Sequence, residues 1–259
     1  CSLMKLIPLP ALTDNYVWML HDGREALVVD PGDAAPVMRA LQDQGLKLRS
    51  ILVTHHHADH TGGVDALRER TGAQVWGPAG EDIPQPSHPL AHGQHVDTLG
   101  MRFDVLDIPG HTAGHIAFYA ADMDGSPLLF CGDTLFSAGC GRLFEGTPAQ
   151  MEHSLGQLAA LPGSTRVCCT HEYTLSNLRF ALVVDPDNAD LQAYQVHCQS
   201  LRDRQQPTLP SSIDLERRIN PFLRSTTPPI LRALREFDAD GVSRDGAFAT
   251  LRRWKNEYR

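Results

Sequence analysis

Thr54-His55-His56-His57-Ala58-Asp59-His60 decides the reading of this chain, because five of its seven residues can bind a metal. The stretch follows an apolar run, Ile51-Leu52-Val53, and precedes Thr61-Gly62-Gly63, where a helical pattern begins. It therefore lies just past a buried strand. Loops at strand ends of an open α/β sheet are where ligand-binding side chains converge. Histidines at i and i+2 point the same way while the backbone stays extended, which pairs His55 with His57. Asp59 and His60 come after the strand, and a turning chain carries them to a second position nearby. A catalytic ion usually keeps three protein ligands plus water. Four potential ligands within six residues, His55, His57, Asp59 and His60, already hint at two metals. A His-rich surface loop that captures stray metal is the plain alternative, and the buried strand before it argues against that.

Working outward, three later segments repeat the arrangement. Pro109-Gly110-His111-Thr112-Ala113-Gly114-His115 follows the alternating Phe103-Asp104-Val105-Leu106-Asp107-Ile108. Cys131-Gly132-Asp133-Thr134 follows Leu128-Leu129-Phe130, and Thr170-His171-Glu172-Tyr173 follows Val167-Cys168-Cys169. Each is a short apolar run ending in a Gly, Thr or Pro break beside a metal-type residue. One such segment is a weak signal; four together are strong.

The strings T-H-x-H-x-D-H, G-H-T-x-G-H, G-D-T-L-F and T-H-E-Y-T resemble those of the metallo-β-lactamase-fold hydrolases. Further segments narrow the resemblance to the hydroxyacylglutathione hydrolases, also called glyoxalase II. They are Ala138-Gly139-Cys140-Gly141-Arg142, Phe144-Glu145-Gly146, Asn177-Leu178-Arg179-Phe180-Ala181 and Asn220-Pro221-Phe222-Leu223-Arg224. The similarity runs from about Met4 to the end of the chain. It implies an α/β fold, an αββα sandwich over residues 1–173, followed by a smaller all-helical C-terminal domain over residues 174–259 that binds substrate. Carried over position by position, it implies that His55, His57 and His111 hold one ion. Asp59, His60 and His171 would hold the other, with Asp133 bridging. His56 and His115 are left as spare histidines, His56 pointing away and His115 packing or hydrogen-bonding.

Composition agrees with a soluble globular protein: 259 residues, 42% hydrophobic and 21% charged. No run of about 18 apolar residues occurs, so no membrane span is expected, and no secretory leader is legible. Cys1-Ser2-Leu3 precede Met4, which reads as a natural start, so those three residues are expected to be extraneous. The six cysteines show neither a disulfide-scaffold spacing nor a C-x-x-C pair. Most are expected to be small buried apolar residues in a reducing cytoplasm. The net charge of −8 is uneven: residues 217–259 carry ten Lys/Arg against five Asp/Glu. The acidic remainder disfavours nucleic-acid binding. The basic tail is either a solvated helix face or a clamp for a small anion.

Along the chain, Lys5–Leu9, Tyr16–Leu20 and Ala26–Asp30 read as strands, Pro36–Leu46 as a helix, Ser50–Thr54 as a strand and Gly62–Arg70 as a helix. Asp30 is either a turn residue or a partner that orients a metal ligand. Gly80–Pro89 reads as a Pro-rich loop, and His88, His92 and His95 as surface histidines. Strands are expected at Arg102–Ile108, Ile116–Ala120, Pro127–Phe130 and Val167–Thr170, with a helix from Thr147-Pro148-Ala149-Gln150 to about Leu161. Thr147 and Gln150 suit a capping box. After Thr174 only helices are expected: Leu175–Val184, Asp190–Arg204, Leu215–Ile219, Pro229–Phe237 and Ala247–Tyr258. Strands first and helices after indicate two regions.

Imidazole and carboxylate ligands without thiolate suit zinc first, or iron or manganese, and leave positions open to water. Divalent ions bring the pKa of bound water to roughly 7, so a nucleophile exists at neutral pH. A thioester suits such a site, because a thiol of pKa about 8.5 leaves as thiolate without a strong general acid. Asp59 is the residue placed to orient the nucleophile or accept its proton. The resemblance further implies that glutathione is held by Arg142, Tyr173, Arg252 and Lys255. Phe144 stands where some family members have tyrosine, so a hydroxyl contact to the peptide is missing. The implied activity is hydrolysis of S-D-lactoylglutathione and related 2-hydroxyacyl thioesters to D-lactate and glutathione, the second step of methylglyoxal detoxification. The implied protein is a cytoplasmic monomer with a small-molecule substrate and no nucleic-acid or membrane partner. β-Lactam hydrolysis, persulfide oxidation and a non-catalytic metal-binding role are the alternatives. The helical tail with R-x-x-K argues against the first two, and the complete ligand set against the third.

Overall fold

The structure, a computed structural model, describes residues 3–258, so the reading of Cys1 and Ser2 lies outside the described residues. The first sheet is built from β1 (Lys5–Ala11), β2 (Asn15–His21), β3 (Glu25–Val29), β4 (Lys47–Leu52), β5 (Gln74–Pro78) and β6 (His88–Leu90), in that order. β1, β2 and β3 pair antiparallel, and β3 to β6 run parallel. The parallel crossovers carry helices α1 (Ala34–Gln44), α2 (Ala58–Thr61) and α3 (Val64–Thr71). Every residue of β2 is buried because both faces are covered. Trp18 and Leu20 point into the inter-sheet core, whereas Val17 and Met19 meet Val37, Leu41, Val64 and Leu67 of the outer helices. That double burial is why β2 reads as an unbroken apolar run.

The second sheet adds β7 (His95–Thr98), β8 (Met101–Asp107), β9 (Ile116–Met123) and β10 (Ser126–Gly132). A small hairpin of β11 (Leu135–Phe136) and β12 (Gly139–Cys140) follows, then α4 (Pro148–Ala159) and β13 (Arg166–Cys169). The helices after it are α5 (Thr174–Val184), α6 (Ala189–Asp203), α7 (Ile213–Ile219), α8 (Pro228–Asp245) and α9 (Ala247–Glu257). The two sheets face each other across Trp18, Leu27, Leu52, Phe103, Phe118 and Phe130, so the architecture is the αββα sandwich with helices after it. Burying such aromatic and branched side chains is worth roughly 1.5–3 kcal/mol each, which makes this layer the main source of stability.

Three details differ from the sequence reading. The Pro-rich stretch contains β6 and leads into β7; Pro89 is tolerated because β6 is an edge strand. Strands do not cease after Thr174: β14 (Ser211–Ser212) returns to the second sheet and pairs with Arg166 and Val167. Two residues are too few to show any period. Finally, α8 continues past Phe237 through a kink at Asp238, whose φ is −161°. Asp238 accepts the Gly241 N–H at 2.9 Å and restarts the helix as a cap does. The capping box of α4 forms as read, with Thr147 Oγ1 accepting Gln150 N–H at 3.2 Å and Gln150 returning to Thr147 N–H at 2.9 Å. Cys131, Cys140, Cys168, Cys169 and Cys198 are free and buried, and no described helix is long and apolar enough to cross a membrane.

The helices beyond Tyr173 share their apolar surface. Phe180, Phe222, Ile230, Leu234, Phe248 and Leu251 join the inter-sheet core, while Leu178, Leu191, Tyr194 and Ile219 form a smaller cluster of their own. Glu216 on α7 is fully buried between these regions. It accepts the Ala138 N–H at 2.7 Å and the Ser137 hydroxyl at 3.0 Å, so α7 grips the β11–β12 hairpin. Burial pushes the Glu216 carboxyl up to about 7 against the hydrogen bonds that favour its charge. A carboxyl raised in the fold contributes stability fully below its unfolded pKa of about 4.3, and loses it as pH rises through about 7. Urea melts at pH 5 and pH 8 should therefore show a larger pH-dependent loss in wild type than in Glu216→Gln, by on the order of 1–3 kcal/mol. Parallel curves for the two proteins would refute this.

Candidate metal centre and substrate cleft

All metal-type residues singled out in the sequence arrive at one end of the sandwich. His55 and His57 follow β4, Asp59 and His60 lie on α2, His111 follows β8, Asp133 follows β10 and His171 follows β13. Two backbone approaches require glycine. A Cβ on Gly32 would sit 1.9 Å from the Asp59 carbonyl, and one on Gly141 1.9 Å from the Asp133 carbonyl. Either would push a metal-type aspartate out of place.

The donor atoms fall into two trios. His55 Nε2 and His111 Nε2 each lie 3.2 Å from His57 Nδ1. His60 Nε2 and His171 Nε2 each lie 3.3 Å from Asp59 Oδ2. Asp133 Oδ2 faces both sets, 3.3 Å from His60 and His171, 3.4 Å from His111 and 4.0 Å from His55. Metal–nitrogen bonds of roughly 2.0–2.1 Å place tetrahedral ligand atoms about 3.3 Å apart. All but the His55–Asp133 separation match that edge. His60 Nε2 is also buried without a well-formed hydrogen bond, which an ion in the second trio would explain. The residues fit two divalent ions.

Each Nε2 donor has its other ring nitrogen fixed. His55 Nδ1 meets Thr54 Oγ1 at 3.0 Å, His60 Nδ1 meets Asp30 Oδ2 at 3.1 Å, His111 Nδ1 meets the Arg142 carbonyl at 2.8 Å and His171 Nδ1 meets Asp14 Oδ1 at 2.8 Å. Such partners set tautomer and ring orientation. Asp30 therefore belongs to the site, although its backbone also turns, with φ 53°. It accepts the Thr54 N–H and hydroxyl at 2.7 Å each. Asp14 and Asn15 carried no sequence signal. Asn15 Nδ2 donates to Asp59 Oδ2 at 3.0 Å, and an isolated bridge pairs Asn15 with His171. Only the fold brings β2 beside the end of β13.

Electrostatics separates the trios. Burial, with His60 and His115 nearby, holds His55 well below the ordinary imidazole range; burial, with His56 and His60 nearby, lowers His57, and burial also lowers His111. In the other trio burial opposes the outcome. It is overcome by the Asp133 and Asp30 carboxylates, which raise His60, and by Asp133 and Asp59, which push His171 up to about 10. The same pairs hold Asp59 and Asp133 far below the carboxylate range despite the desolvation that raises them. The carboxylates of Asp59 and Asp133 facing the His60 and His171 rings make that side of the pocket suited to a cation, which competes with protons for the same donors.

The remaining histidines separate from the donors. His56 Nε2 turns to Glu145 Oε1 at 2.6 Å. His115 stacks on His55 at 4.5 Å and accepts the Asp133 N–H at 3.2 Å. His88 stacks on Trp76, and His88, His92 and His95 are exposed and belong to none of the donor groups.

A cavity of about 660 Å³ opens over the donors, and its lining includes Arg142, Phe144, Tyr173, Arg252 and Lys255. A second groove, beside Leu12 and Arg202, lacks this chemistry, so the cavity over the donors is the relevant one. Tyr173 lies flat on His171, 4.6 Å between centroids and 3° between planes. Phe144 is 64% exposed and meets His57 and His111 edge-on, so it supplies an apolar wall. Arg252 is deeper than an exposed helix face would place it, at 4% exposure. It donates to the Cys140 carbonyl at 2.8 Å and to Asn256 Oδ1 at 3.1 Å, and lies over the Phe222 ring. Lys255 remains half-buried beside the rings of Phe180 and Tyr258. Burial, then Arg252, Arg179 and Arg142, lower its ammonium to about 8.

Comparison with known proteins gives two family matches that together span nearly the whole chain. Residues 12–171 match the metallo-beta-lactamase superfamily, and residues 172–258 match the hydroxyacylglutathione hydrolase C-terminus. The hydroxyacylglutathione hydrolase of Albidiferax ferrireducens is 64% identical over 255 residues, covering 98% of this chain and all of that protein. Among solved structures, ETHE1 from Myxococcus xanthus aligns with a TM-score of 0.65 at 25% identity, over 98% of this chain and 99% of its own. TTHA1623 in a di-iron-bound form aligns with a TM-score of 0.59 at 29% identity, over 85% of this chain and all of its own.

Proposed function

This chain belongs to the hydroxyacylglutathione hydrolase family and is a thioester hydrolase of the metallo-β-lactamase fold, and on that premise we propose which of its residues perform the hydrolysis. The substrate is an S-2-hydroxyacylglutathione such as S-D-lactoylglutathione, and the products are the 2-hydroxy acid and glutathione. The observation that carries the assignment is one cavity in which His57, Asp59, His111, Asp133 and His171 lie beside Arg142, Tyr173, Arg252 and Lys255.

His55, His57 and His111 would hold one ion and Asp59, His60 and His171 the other, with Asp133 placed to serve both. Zinc fits this nitrogen and oxygen donor set, and iron or manganese are the other candidates. When bound, such ions would supply Lewis acidity and lower the pKa of water to about 7. Asp59, held by Asn15 through Oδ2, is half-exposed and lines the cavity, so its carboxylate is the group that orients the attacking water and takes its proton. Leaving sulfur needs no proton from the protein, because the thiolate is stable near neutral pH. Phe144, with the His57 and His111 edges behind it, shields one side of the acyl group from bulk water. The region to Tyr173 carries the catalytic donors, and the helical region from Thr174 supplies the grip on the peptide. A cytoplasmic monomer is the form we assign, the free buried cysteines suiting a reducing compartment.

Lys255 tests the peptide grip. Its ammonium is depressed within a ring of Arg252, Arg179 and Arg142, and an incoming carboxylate relieves that repulsion. A charge-assisted hydrogen bond is worth roughly 1.5–3 kcal/mol, or about 10- to 150-fold. Lys255→Ala should raise KM for a glutathione thioester by that factor with kcat little changed. Turnover of a small thioester lacking the peptide should hardly respond; an equal loss on both substrates would sink the assignment. The pH profile adds a second check. A lysine charged below about 8 and neutral above it should give a KM that rises between pH 7 and 9. Lys255→Arg should flatten that rise, since guanidinium stays charged. Arg252→Ala is the less clean variant, because it also strips a donor from the Cys140 carbonyl.

A further inference from the structure

We propose that Glu81, a residue of the loop between β5 and β6 with no place in any of the ligand-bearing segments, is a positioning residue that fixes the His55–His57–His111 site by bridging its two loops. Those three donors come from separate stretches of chain, one after β4 and the other after β8. The two stretches meet where Ile116 N–H donates to the Thr54 carbonyl at 3.0 Å and His115 stacks on His55, but neither contact ties residues 56–57 to residues 111–114. Glu81 does so from outside. Its Oε2 accepts the His56 N–H at 2.6 Å, between the two donors of the first loop. Its Oε1 accepts the Gly114 N–H at 3.0 Å and also the Thr112 hydroxyl, both within three residues of His111. Three donors converge on one carboxylate, which is acceptor-only and matches them without a free proton.

Packing keeps Glu81 in register. A Cβ on Gly114 would lie 2.6 Å from Glu81 Cγ and 2.9 Å from the Gly80 backbone, so the second loop rests directly on the Gly80–Glu81 turn. A second carboxylate spans the same gap nearer the cleft: Glu145 meets His56 Nε2 at 2.6 Å and accepts the Ala113 N–H at 2.7 Å. The two bridges act on neighbouring atoms of the same loops, and the His57 Nδ1 to His111 Nε2 separation of 3.2 Å lies across them. The other trio is held by Asp30, Asp14 and Asn15, of which Asp30 also reaches His55 through Thr54, and it makes no hydrogen bond to Glu81. Glu81 therefore discriminates between the two ions.

This inference rests on the assignment of His55, His57 and His111 to one ion. The test is stepwise binding of Co²⁺ or Zn²⁺ to metal-free protein, read by competition with a chromophoric chelator and by the visible spectrum of cobalt. Glu81→Ala should weaken one of the two binding constants by roughly 10- to 100-fold, the usual cost of losing an outer partner, and leave the other unchanged. Glu81→Gln keeps an acceptor for Thr112 and Gly114 but turns an N–H toward the His56 N–H, so it should show an intermediate loss. In a His111→Ala background, where the first site is already weakened to His55, His57 and Asp133, adding Glu81→Ala should leave the binding constant of the Asp59–His60–His171 site unchanged. Wild-type affinities in Glu81→Ala, or equal weakening of both sites, would overturn the inference. A wild-type protein that binds a single ion would instead overturn the two-ion assignment beneath it.

Discussion

Stripping metal with a chelator should abolish thioester cleavage by this protein, and adding back zinc, iron or manganese should restore it. The expected loss is on the order of 10³-fold or more. Lewis-acid stabilisation is worth several kcal/mol, and each 1.36 kcal/mol is a factor of ten in rate. Neither the thiol nor the phenol lining the cavity is a ready substitute nucleophile. Cys140 lines it, but burial raises that thiol and outweighs the favourable effect of Arg252, so little reactive thiolate exists. Tyr173 is pushed up to about 12 by burial and by the Asp14, Asp133 and Asp59 carboxylates. Without ions, the donors also turn on each other: His60 and His171 take protons from solvent and pair with Asp133 and Asp59. The check is free-thiol release by protein whose metal content has been measured in the same sample. Full activity in metal-free protein would refute the mechanism.

The donors were legible because each sits in a short segment with its own strong signal. An apolar run marks the strand, a Gly, Thr or Pro break marks its end, and a His or Asp follows. The parts that escaped the sequence lack that local signature. Asp14, Asn15 and Glu81 act through contacts 157, 44 and 25 residues away in the chain, with His171, Asp59 and His56 respectively. A single Asn or Glu in a loop is indistinguishable from a solvated one until the fold closes. Strand β14 was missed for a related reason: two serines have no period, and their pairing with β13 is decided by α5 and α6 returning the chain to the sheet edge. Arg252 and Lys255 were legible as a pair on one helix face, but not in depth. Spacing gives direction around a helix; only packing against Phe222 and the β11–β12 hairpin shows that Arg252 is the buried member. The resemblance to a family carried the substrate. No residue pattern by itself distinguishes glutathione from another small anion.

Asp59→Asn separates metal binding from proton transfer, and kcat should fall on the order of 10²-fold or more, within the range of general-base effects. The substitution changes little else. Asp59 is half-exposed on the four-residue helix α2, and an amide oxygen can still accept the Asn15 Nδ2 hydrogen bond now made at 3.0 Å. The fold should therefore melt almost as before. Two capacities are lost. A neutral amide binds a divalent ion more weakly than a carboxylate, and it cannot take a proton at Oδ. These losses have different signatures. Weaker binding is repaired by excess metal, so a variant limited only by occupancy should recover its rate as metal is raised to saturation. Proton transfer is not repaired that way, so the deficit should persist at two ions per chain, with KM for the glutathione thioester unchanged because Arg142 and Lys255 are untouched. Near-wild-type kcat in fully loaded Asp59→Asn protein would show that Asp59 only holds its ion. The proton would then have to pass to Asp133, whose Oδ1 is buried and without a hydrogen-bond partner, and Asp133→Asn would become the variant that loses kcat.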